Sequence, residues 1–299
     1  MRRSLGPLLA LAVFALSVLC WSGGGVAQTI VVGGKAFTEQ QIMTAMTVAL
    51  LKAKGFTPDR KAGMGSAAVR SALENGQVDV YWEYTGTGLG VFNKITDKFN
   101  SAEEAYRKIK EVDAAKGIVW LNMSAVNNTY GFAMNRDDAQ KRGIVTMSDL
   151  AKAINGGAKL TFASNAEFYA RPDGLPGWQK AYGFEFERDN VKRMDTGLTY
   201  SALKDRQVDT AVVFATDGRI PAFNFVVLKD DKNYAAPYNL TPVVRKEILD
   251  KNPKLADALN ALSAKLNDDN MSKLNASVDV DKKTVEEVAE GFLKASGLI

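Results

Sequence analysis

The feature that most constrains this chain is a short pattern that occurs twice, 130 residues apart. Ser71-Ala72-Leu73 followed by Gln77-Val78-Asp79 recurs as Ser201-Ala202-Leu203 followed by Gln207-Val208-Asp209. At the same offset Tyr84 corresponds to Phe214, so each copy places an aromatic residue just beyond a strand-like stretch. A repeat of this kind predicts two similar α/β lobes, each with an aromatic side chain near the carboxyl end of a sheet, where such folds bind ligands.

Strand and helix patterns alternate through most of the chain. Residues 29–32 form a β-branched run, and Thr38 with Gln41 predicts a capping box that starts a helix. Further strands are expected near residues 78–82, 119–123, 129–134 and 160–164. From about Pro242 onward the pattern is helical. The alternation is typical of α/β layers with mostly parallel sheets, and two facing lobes leave a cleft for a small molecule.

The first 27 residues have the pattern of a cleaved export signal. Arg2 and Arg3 precede an apolar run over residues 5–21, and the small residues Gly25-Val26-Ala27 suit a signal peptidase. We therefore expect a leader over residues 1–27, cleavage near Ala27 and a mature protein that begins near Gln28. An uncleaved anchor is disfavoured because Pro7 interrupts a short apolar run.

Cys20 leaves a second interpretation of the leader open. It would be the acylated residue of a lipoprotein, although Leu19 stands where a small residue is preferred. Cys20 is the only cysteine of the chain, so the mature protein would have no disulfide, thiolate metal site or cysteine nucleophile.

Composition excludes several classes of function. Removing Arg2 and Arg3 leaves 36 basic against 34 acidic residues, a net charge of +2, which gives no argument for nucleic-acid binding. There is no histidine and no phosphate-binding or nucleophile-elbow motif. A carboxylate pair such as Glu39 with Glu83 is the remaining basis for an enzyme, and nothing in the sequence places the two together. We predict a non-catalytic protein without cofactor or metal.

Motifs spread over residues 29–298 resemble one family. They are Lys35-x-Phe37-Thr38-Glu39-Gln40, Gly65-Ser66, Glu83-Tyr84-Thr85-Gly86-Thr87, Asn127-Asn128-Thr129-Tyr130, Glu167-Phe168-Tyr169-x-Arg171-x-Asp173-Gly174, Thr216-Asp217-Gly218, and Pro237-Tyr238 with Pro242. In this order and spacing they resemble the substrate-binding proteins of osmoprotectant ABC importers, the glycine betaine, carnitine and choline group.

The resemblance implies a type II periplasmic-binding-protein fold, two α/β lobes joined by two crossover segments. We expect one lobe to comprise residues 28–130 with 235–299 and the other residues 131–234. The implied ligand cage consists of Tyr84, Tyr130, Phe214 and Tyr238, with Lys35, Thr87 and Arg171 as carboxylate partners and Asn128 as an additional polar contact. Relatives commonly carry tyrosine where this chain has Phe214, which affects the identity of the ligand more than its class.

The chemistry of a quaternary ammonium agrees with this assignment. Such a group has no N–H to donate, whereas aromatic faces attract it at roughly 0.5 to 2 kcal/mol per ring. A ligand carboxylate needs a guanidinium or an ammonium instead. Choline would leave Lys35 and Arg171 without an anionic partner, so glycine betaine ranks first; choline, carnitine, proline betaine and ergothioneine stay as alternatives.

Each candidate residue also has a structural interpretation. The tyrosines resemble ordinary half-buried aromatics, and Arg171 suits an ion pair with Glu167 or Asp173. Lys35 suits a solvated lysine, and Asn128 suits a turn.

The implied partners are a quaternary-ammonium ligand, an ABC permease and its ATPase subunit. We expect a periplasmic monomer that closes around its ligand, and a sensor subunit sharing the same cleft stays open.

Overall fold

The computed structural model describes residues 29–299, so the predicted export signal over residues 1–27 and Cys20 lie outside the described residues. The strands are β1 (Thr29–Lys35), β2 (Thr57–Met64), β3 (Val80–Tyr84), β4 (Ile118–Trp120), β5 (Tyr130–Asn135), β6 (Phe162–Ser164), β7 (Val191–Arg193), β8 (Thr210–Phe214), β9 (Phe225–Val227) and β10 (Leu240–Arg245). The α-helices are α1 (Thr38–Ala53), α2 (Ser66–Glu74), α3 (Ala102–Ala114), α4 (Arg136–Arg142), α5 (Met147–Asn155), α6 (Ala166–Ala170), α7 (Leu175–Tyr182), α8 (Thr196–Lys204), α9 (Arg219–Ala222), α10 (Lys246–Lys251), α11 (Lys254–Ser263), α12 (Asp268–Asp279) and α13 (Val285–Ala295). A π-helical turn spans Thr87–Phe92, and a 3-10 turn spans Arg188–Asn190.

The strands form two five-stranded sheets. The first has the order β2-β1-β3-β10-β4 and the second β7-β6-β8-β5-β9. Each sheet with the helices packed on it is called a lobe here. Four strands of each sheet run in the same direction, while β10 in the first and β5 in the second run antiparallel to their neighbours. The two α/β lobes are confirmed, although the sheets are mixed. The expected boundaries, 28–130 with 235–299 and 131–234, stay a prediction.

The repeat in the sequence is a repeat in the structure. Helices α2 and α8 and strands β3 and β8 begin and end 130 residues apart. Strand β1 pairs with β3 through Val32 and Val80, and β6 pairs with β8 through Phe162 and Thr210, again at that offset. The aspartate before each second strand accepts the same backbone bond: Asp79 from Val31 at 2.8 Å, Asp209 from Thr161 at 2.9 Å. The two units therefore share one backbone design.

The chain passes between the lobes twice, through residues 121–129 and residues 228–239. The two crossovers meet in an antiparallel bridge between Asn127 and Asn239. Helix α1 packs against α11, α12 and α13, so the C-terminal helices complete the first lobe. In residues 29–299 no helix is both long enough and apolar enough to cross a membrane.

Two local predictions are wrong. Pro242 lies inside β10, paired with Trp82 of β3, so the helical region begins only at Lys246. The predicted capping box at Thr38 does not form, because Phe37 occupies the N-cap position of α1 without a side-chain bond. The Thr38 hydroxyl donates instead to Asp279 of α12 at 2.8 Å, because a tertiary partner competes with the local one.

Candidate functional site

A cleft of about 910 Å³ lies between the lobes. Strands β1, β3 and β8 end at it with Lys35, Tyr84 and Phe214, and β5 begins at it with Tyr130. Tyr238, two residues before β10, completes this part of the wall. The volume lies in the range of small-molecule sites, and the position at the carboxyl ends of parallel strands is where open α/β sheets bind ligands.

The four predicted cage rings line this one cleft. The ring of Tyr130 lies 5.1 Å from that of Phe214 and 5.6 Å, edge-on, from that of Tyr238, measured between centroids. Tyr84, Phe214 and Tyr238 are buried, with Tyr84 at 4% exposure, and Tyr130 is partly buried. The structure thus brings together rings that are up to 154 residues apart in sequence (Tyr84 and Tyr238). Ligand contact by these rings stays a prediction.

Phe37 is a fifth cleft aromatic that the sequence argument did not select. Its ring stacks on Phe214 at 5.2 Å with an interplanar angle of 12°, and it lies 6.2 Å from Tyr84. Phe37 therefore connects Tyr84 of the first lobe to the rings of the second. The signal was present, because Phe37 belongs to the same short motif as Lys35 and directly follows a strand end.

Lys35 lines the cleft but is not a solvated lysine. It is 3% exposed, and its Nζ donates to Oε1 of Glu83 at 2.5 Å. The ammonium also lies 5.0 Å from the ring centroid of Tyr84. Glu83 is fully buried and accepts two further bonds, from the Tyr81 hydroxyl at 3.0 Å and from the Tyr84 backbone N–H at 2.7 Å. One of the three N–H donors of Lys35 is thus satisfied, and the others are available to an anion.

Two other predicted polar residues lie in the cleft wall. Thr87, 2% exposed, opens the π-helical turn after β3, and its hydroxyl bonds to no other described residue. Asn128 donates to Glu39 at 3.1 Å and accepts from the Thr216 backbone at 3.3 Å. Thr87 is therefore a free hydrogen-bonding group facing the cleft, whereas Asn128 is largely occupied with holding the lobes.

Arg171 lies behind two cage rings. Its guanidinium donates to both carboxylate oxygens of Asp173 at 2.6 and 2.7 Å and to Glu167 at 3.2 Å. It also donates to the hydroxyls of Tyr130 at 3.1 Å and Tyr238 at 2.8 Å. These bonds occupy all five guanidinium N–H groups. This geometry agrees with the interpretation of Arg171 as an ion-pair partner. A ligand contact by Arg171 stays a prediction, and it requires that the ligand replace some of these hydrogen-bond acceptors.

The Arg171 network fixes the charge of its partners. Burial alone would raise the pKa of Asp173, but hydrogen bonds from Arg171 and its positive charge outweigh burial and lower that pKa. Burial raises the pKa of the Tyr130 phenol despite the nearby guanidinium. Asp173 is accordingly a carboxylate, and the Tyr130 hydroxyl stays protonated beside the cleft.

Glu39 forms a polar junction between the lobes that the sequence argument missed. It is 2% exposed and accepts hydrogen bonds from Tyr84 at 2.7 Å, from Thr216 of the second lobe and from Asn275 of α12 at 3.2 Å, in addition to Asn128. Burial raises the pKa of Glu39, and the hydrogen bonds oppose that shift. No local pattern signals such a junction, because its members lie far apart in sequence.

A second contact joins the lobes across the cleft. The hydroxyl of Ser66, the first residue of α2, donates to Glu167 of α6 at 3.1 Å. Gly65 occupies the N-cap position of α2, which leaves the Ser66 hydroxyl free for the opposite lobe.

Comparison with known proteins gives consistent relatives. Residues 28–295 match the family OpuAC, described as the substrate binding domain of the ABC-type glycine betaine transport system. The chain is 42% identical over 284 residues to the glycine-betaine-binding protein of Pseudomonas aeruginosa, covering 93% of this chain and 91% of the relative. It is 31% identical over 300 residues to the glycine betaine-binding protein YehZ of Escherichia coli, covering 98% and 96%. A crystal structure described as a glycine betaine/carnitine/choline ABC transporter is similar with a TM-score of 0.72 and 30% identity, covering 90% of this chain and 99% of that one.

Proposed function

The chain belongs to the family of substrate-binding domains of ABC-type glycine betaine transport systems, and on that premise we propose that it captures glycine betaine in the interlobe cleft and delivers it to a membrane permease. Members of this family are substrate-binding proteins of transporters and act outside the cytoplasm. We propose the identity of the ligand, its contacts in the cleft and the transport partners.

One observation carries the proposal: aromatic rings from both sheets meet around one cleft. Tyr84 lies in the first sheet, Tyr130 and Phe214 lie in the second, and Tyr238 lies in the second crossover, two residues before β10. Rings attract a methylated cation through their quadrupole, and several together provide affinity without a buried counter-charge. A ligand that contacts both lobes also stabilises the closed arrangement, because only that arrangement makes both sets of contacts.

Lys35 and Thr87 favour glycine betaine over choline. Both face the cleft with hydrogen-bonding capacity that the described residues leave unused. A carboxylate accepts from these donors and brings a charge opposite to that of Lys35, whereas the choline hydroxyl is a neutral acceptor. Carnitine and other betaines share the carboxylate and are the competing ligands.

Delivery requires partners outside this chain. We propose that the protein acts as a monomer, that an ATPase subunit drives the permease, and that export removes residues 1–27 by cleavage near Ala27. In this role the chain binds and releases its ligand without catalysing a reaction.

Isothermal titration calorimetry on the purified protein tests the proposal. Glycine betaine is expected to bind more tightly than choline, and Tyr130→Ala is expected to weaken glycine betaine binding by at least about 1 kcal/mol, because one ring is lost. Tyr130→Phe, the matched control, keeps the ring face and removes only the hydroxyl bond to Arg171. Absence of binding for betaines and choline alike contradicts the proposal, and tighter choline binding reverses the ligand order.

A further inference from the structure

Lys35, which forms an ion pair with Glu83, differs in burial from the other described charged residues that line the cleft. Of the described charged residues that line the cleft, Lys35 alone is buried, while Glu167 is half-buried and Lys192, Arg193 and Asp195 are exposed. Exposed charges are screened by water and salt, whereas a buried charge is screened much less. Among the charges of the cleft wall, Lys35 with its partner Glu83 therefore acts most strongly on a ligand, in addition to Arg171 and Glu39, which are buried behind the cage rings.

Glu83 is placed to control that field without touching a ligand. It does not belong to the cleft wall of the described structure, and its side chain is fully buried behind Lys35. Its carboxylate is held by Lys35, Tyr81 and the backbone of Tyr84, so its position is fixed relative to both the ammonium and the Tyr84 ring.

We propose that Glu83 is a specificity-determining residue that neutralises Lys35 and so allows a cleft with an ammonium in its wall to accept a ligand with a quaternary cation. This inference rests on the proposed function, since it concerns the same cleft and ligand class. Without Glu83 the cleft carries a net positive charge beside the Tyr84 ring. A cation is then repelled, while the carboxylate of a zwitterion is attracted.

Removing one charge of the pair is expected to change the ligand preference in the direction opposite to removing the other. Removing Glu83 leaves an unpaired ammonium, which penalises choline more than glycine betaine because only the betaine carries a compensating carboxylate. Removing Lys35 deletes the anion partner and leaves an unpaired carboxylate, which favours choline. A residue that merely supported the fold would weaken both ligands alike and leave their relative affinity unchanged.

The measured quantity is the ratio of the choline Kd to the glycine betaine Kd, obtained by calorimetry at low ionic strength. Relative to wild type, Glu83→Gln is expected to raise the ratio about tenfold or more, and Lys35→Met is expected to lower it. The double variant lacks both charges and is expected to lie between wild type and Lys35→Met. Tyr81→Phe is the matched control, because it removes one hydrogen bond to Glu83 but no charge, and its ratio is expected to equal that of wild type.

Melting temperatures show whether each variant is folded. If Glu83→Gln does not fold, the comparison of Lys35→Met with the double variant isolates the charge of Glu83, and a higher ratio in the double variant supports the proposal. An unchanged or lowered ratio in Glu83→Gln, or equal ratios in Lys35→Met and the double variant, overturns it. A wild-type protein that binds neither ligand contradicts the proposed function instead, so the two failures are distinguishable.

Discussion

The two lobes share a backbone design but use it for different chemistry. The cleft positions Lys35, Tyr84 and Thr87 of the first lobe correspond, 130 residues on, to Asn165, Phe214 and Asp217 of the second. In the first lobe Lys35 and Thr87 keep unused hydrogen-bonding capacity toward the cleft. In the second, Asn165 caps α6 through the Phe168 N–H at 2.7 Å, and Asp217 pairs with Arg219 at 2.6 Å. The first lobe is thus suited to the anionic end of a zwitterion, and the second contributes mainly apolar ring surface.

The same divergence occurs where each lobe holds its repeated helix. Arg70 of α2 corresponds to Tyr200 of α8. Arg70 donates to both oxygens of the buried Asp113 at 2.6 and 2.8 Å. The hydroxyl of Tyr200 accepts a bond from the backbone N–H of Phe214 at 2.9 Å. The first lobe therefore relies on a buried ion pair at a position where the second has an uncharged tyrosine, whose ring centroid lies 3.9 Å from the Arg219 guanidinium.

The largest effect is expected from breaking that ion pair. Asp113→Asn leaves the Arg70 guanidinium buried without its main counter-charge, and we expect a loss of about 3 kcal/mol or more in the free energy of unfolding. Hydrogen bonds from Arg70 and its charge outweigh the effect of burial and lower the pKa of Asp113. Its contribution is therefore present above the unfolded pKa and is lost as pH falls through the folded pKa. Urea unfolding at neutral and acidic pH measures both effects.

Tyr200→Phe is the matched control in the second lobe. It removes an uncharged hydroxyl and keeps the ring, so a loss of about 1 kcal/mol is expected, with a smaller change in the acid dependence of unfolding than Asp113→Asn causes. A Tyr200→Phe loss equal to that of Asp113→Asn would show that the two lobes do not differ in the way their structures indicate.

A second comparison concerns two glycines that occupy equivalent positions after β3 and β8. A Cβ added at Gly88 would lie 2.7 Å from Trp120, within the first lobe. A Cβ added at Gly218 would lie 2.5 Å from the Cβ of Ala276 in α12, across the junction of the lobes. The close approach at Gly88 thus packs the interior of the first lobe, whereas the close approach at Gly218 brings the two lobes into contact.

Alanine at these glycines is expected to have an intermediate effect. Gly88→Ala and Gly218→Ala should each lower the free energy of unfolding by about 1 to 3 kcal/mol through overpacking. Only Gly218→Ala is expected to weaken glycine betaine binding as well, because it separates α12 from the second lobe. Calorimetry combined with urea unfolding checks this, and equal losses of affinity in both variants would remove the distinction between the two contacts.

These comparisons show how much the sequence predicts. The repeat predicted two similar lobes because identical spacings in both halves, such as Val78-Asp79 and Val208-Asp209, require the same local backbone. The family resemblance supplied Tyr130 and Tyr238, and the repeat itself placed Tyr84 and Phe214 near the carboxyl ends of equivalent strands. These features depend on local pattern and topology, which a sequence records directly.

The features that the sequence did not predict arise where a partner distant in sequence competes with a local one. Thr38 had a local capping partner but bonds to Asp279, 241 residues away. Pro242 resembled a helix start, yet it fits β10 because the pairing of that strand with β4 begins only at Val243. The saturation of Arg171 depends on which acidic groups surround it in space. Local propensity cannot rank such alternatives when partners distant in sequence decide between them.

The smallest effect is expected at the junction that joins the lobes, because opposing influences act on Glu39. Burial raises its pKa above the ordinary value of 4.5, while hydrogen bonds from Thr216 and Tyr84 among others oppose the rise. The native state therefore retains a proton at pH values where the unfolded chain has lost it. Stability linked to Glu39 is fully present below the unfolded pKa and is lost as pH rises through the folded pKa, opposite to Asp113.

Two variants test this sign by urea unfolding over a series of pH values. Glu39→Gln cannot titrate, so the stability of wild type relative to this variant should fall as pH rises above about 4.5. Thr216→Val removes one hydrogen bond that opposes the effect of burial on the pKa of Glu39. The loss of stability should therefore extend to higher pH in this variant. A wild-type stability that rises relative to Glu39→Gln over this range would mean that the hydrogen bonds outweigh burial. The junction would then hold a carboxylate as the first lobe holds Asp113, and the contrast between the two buried acids would disappear.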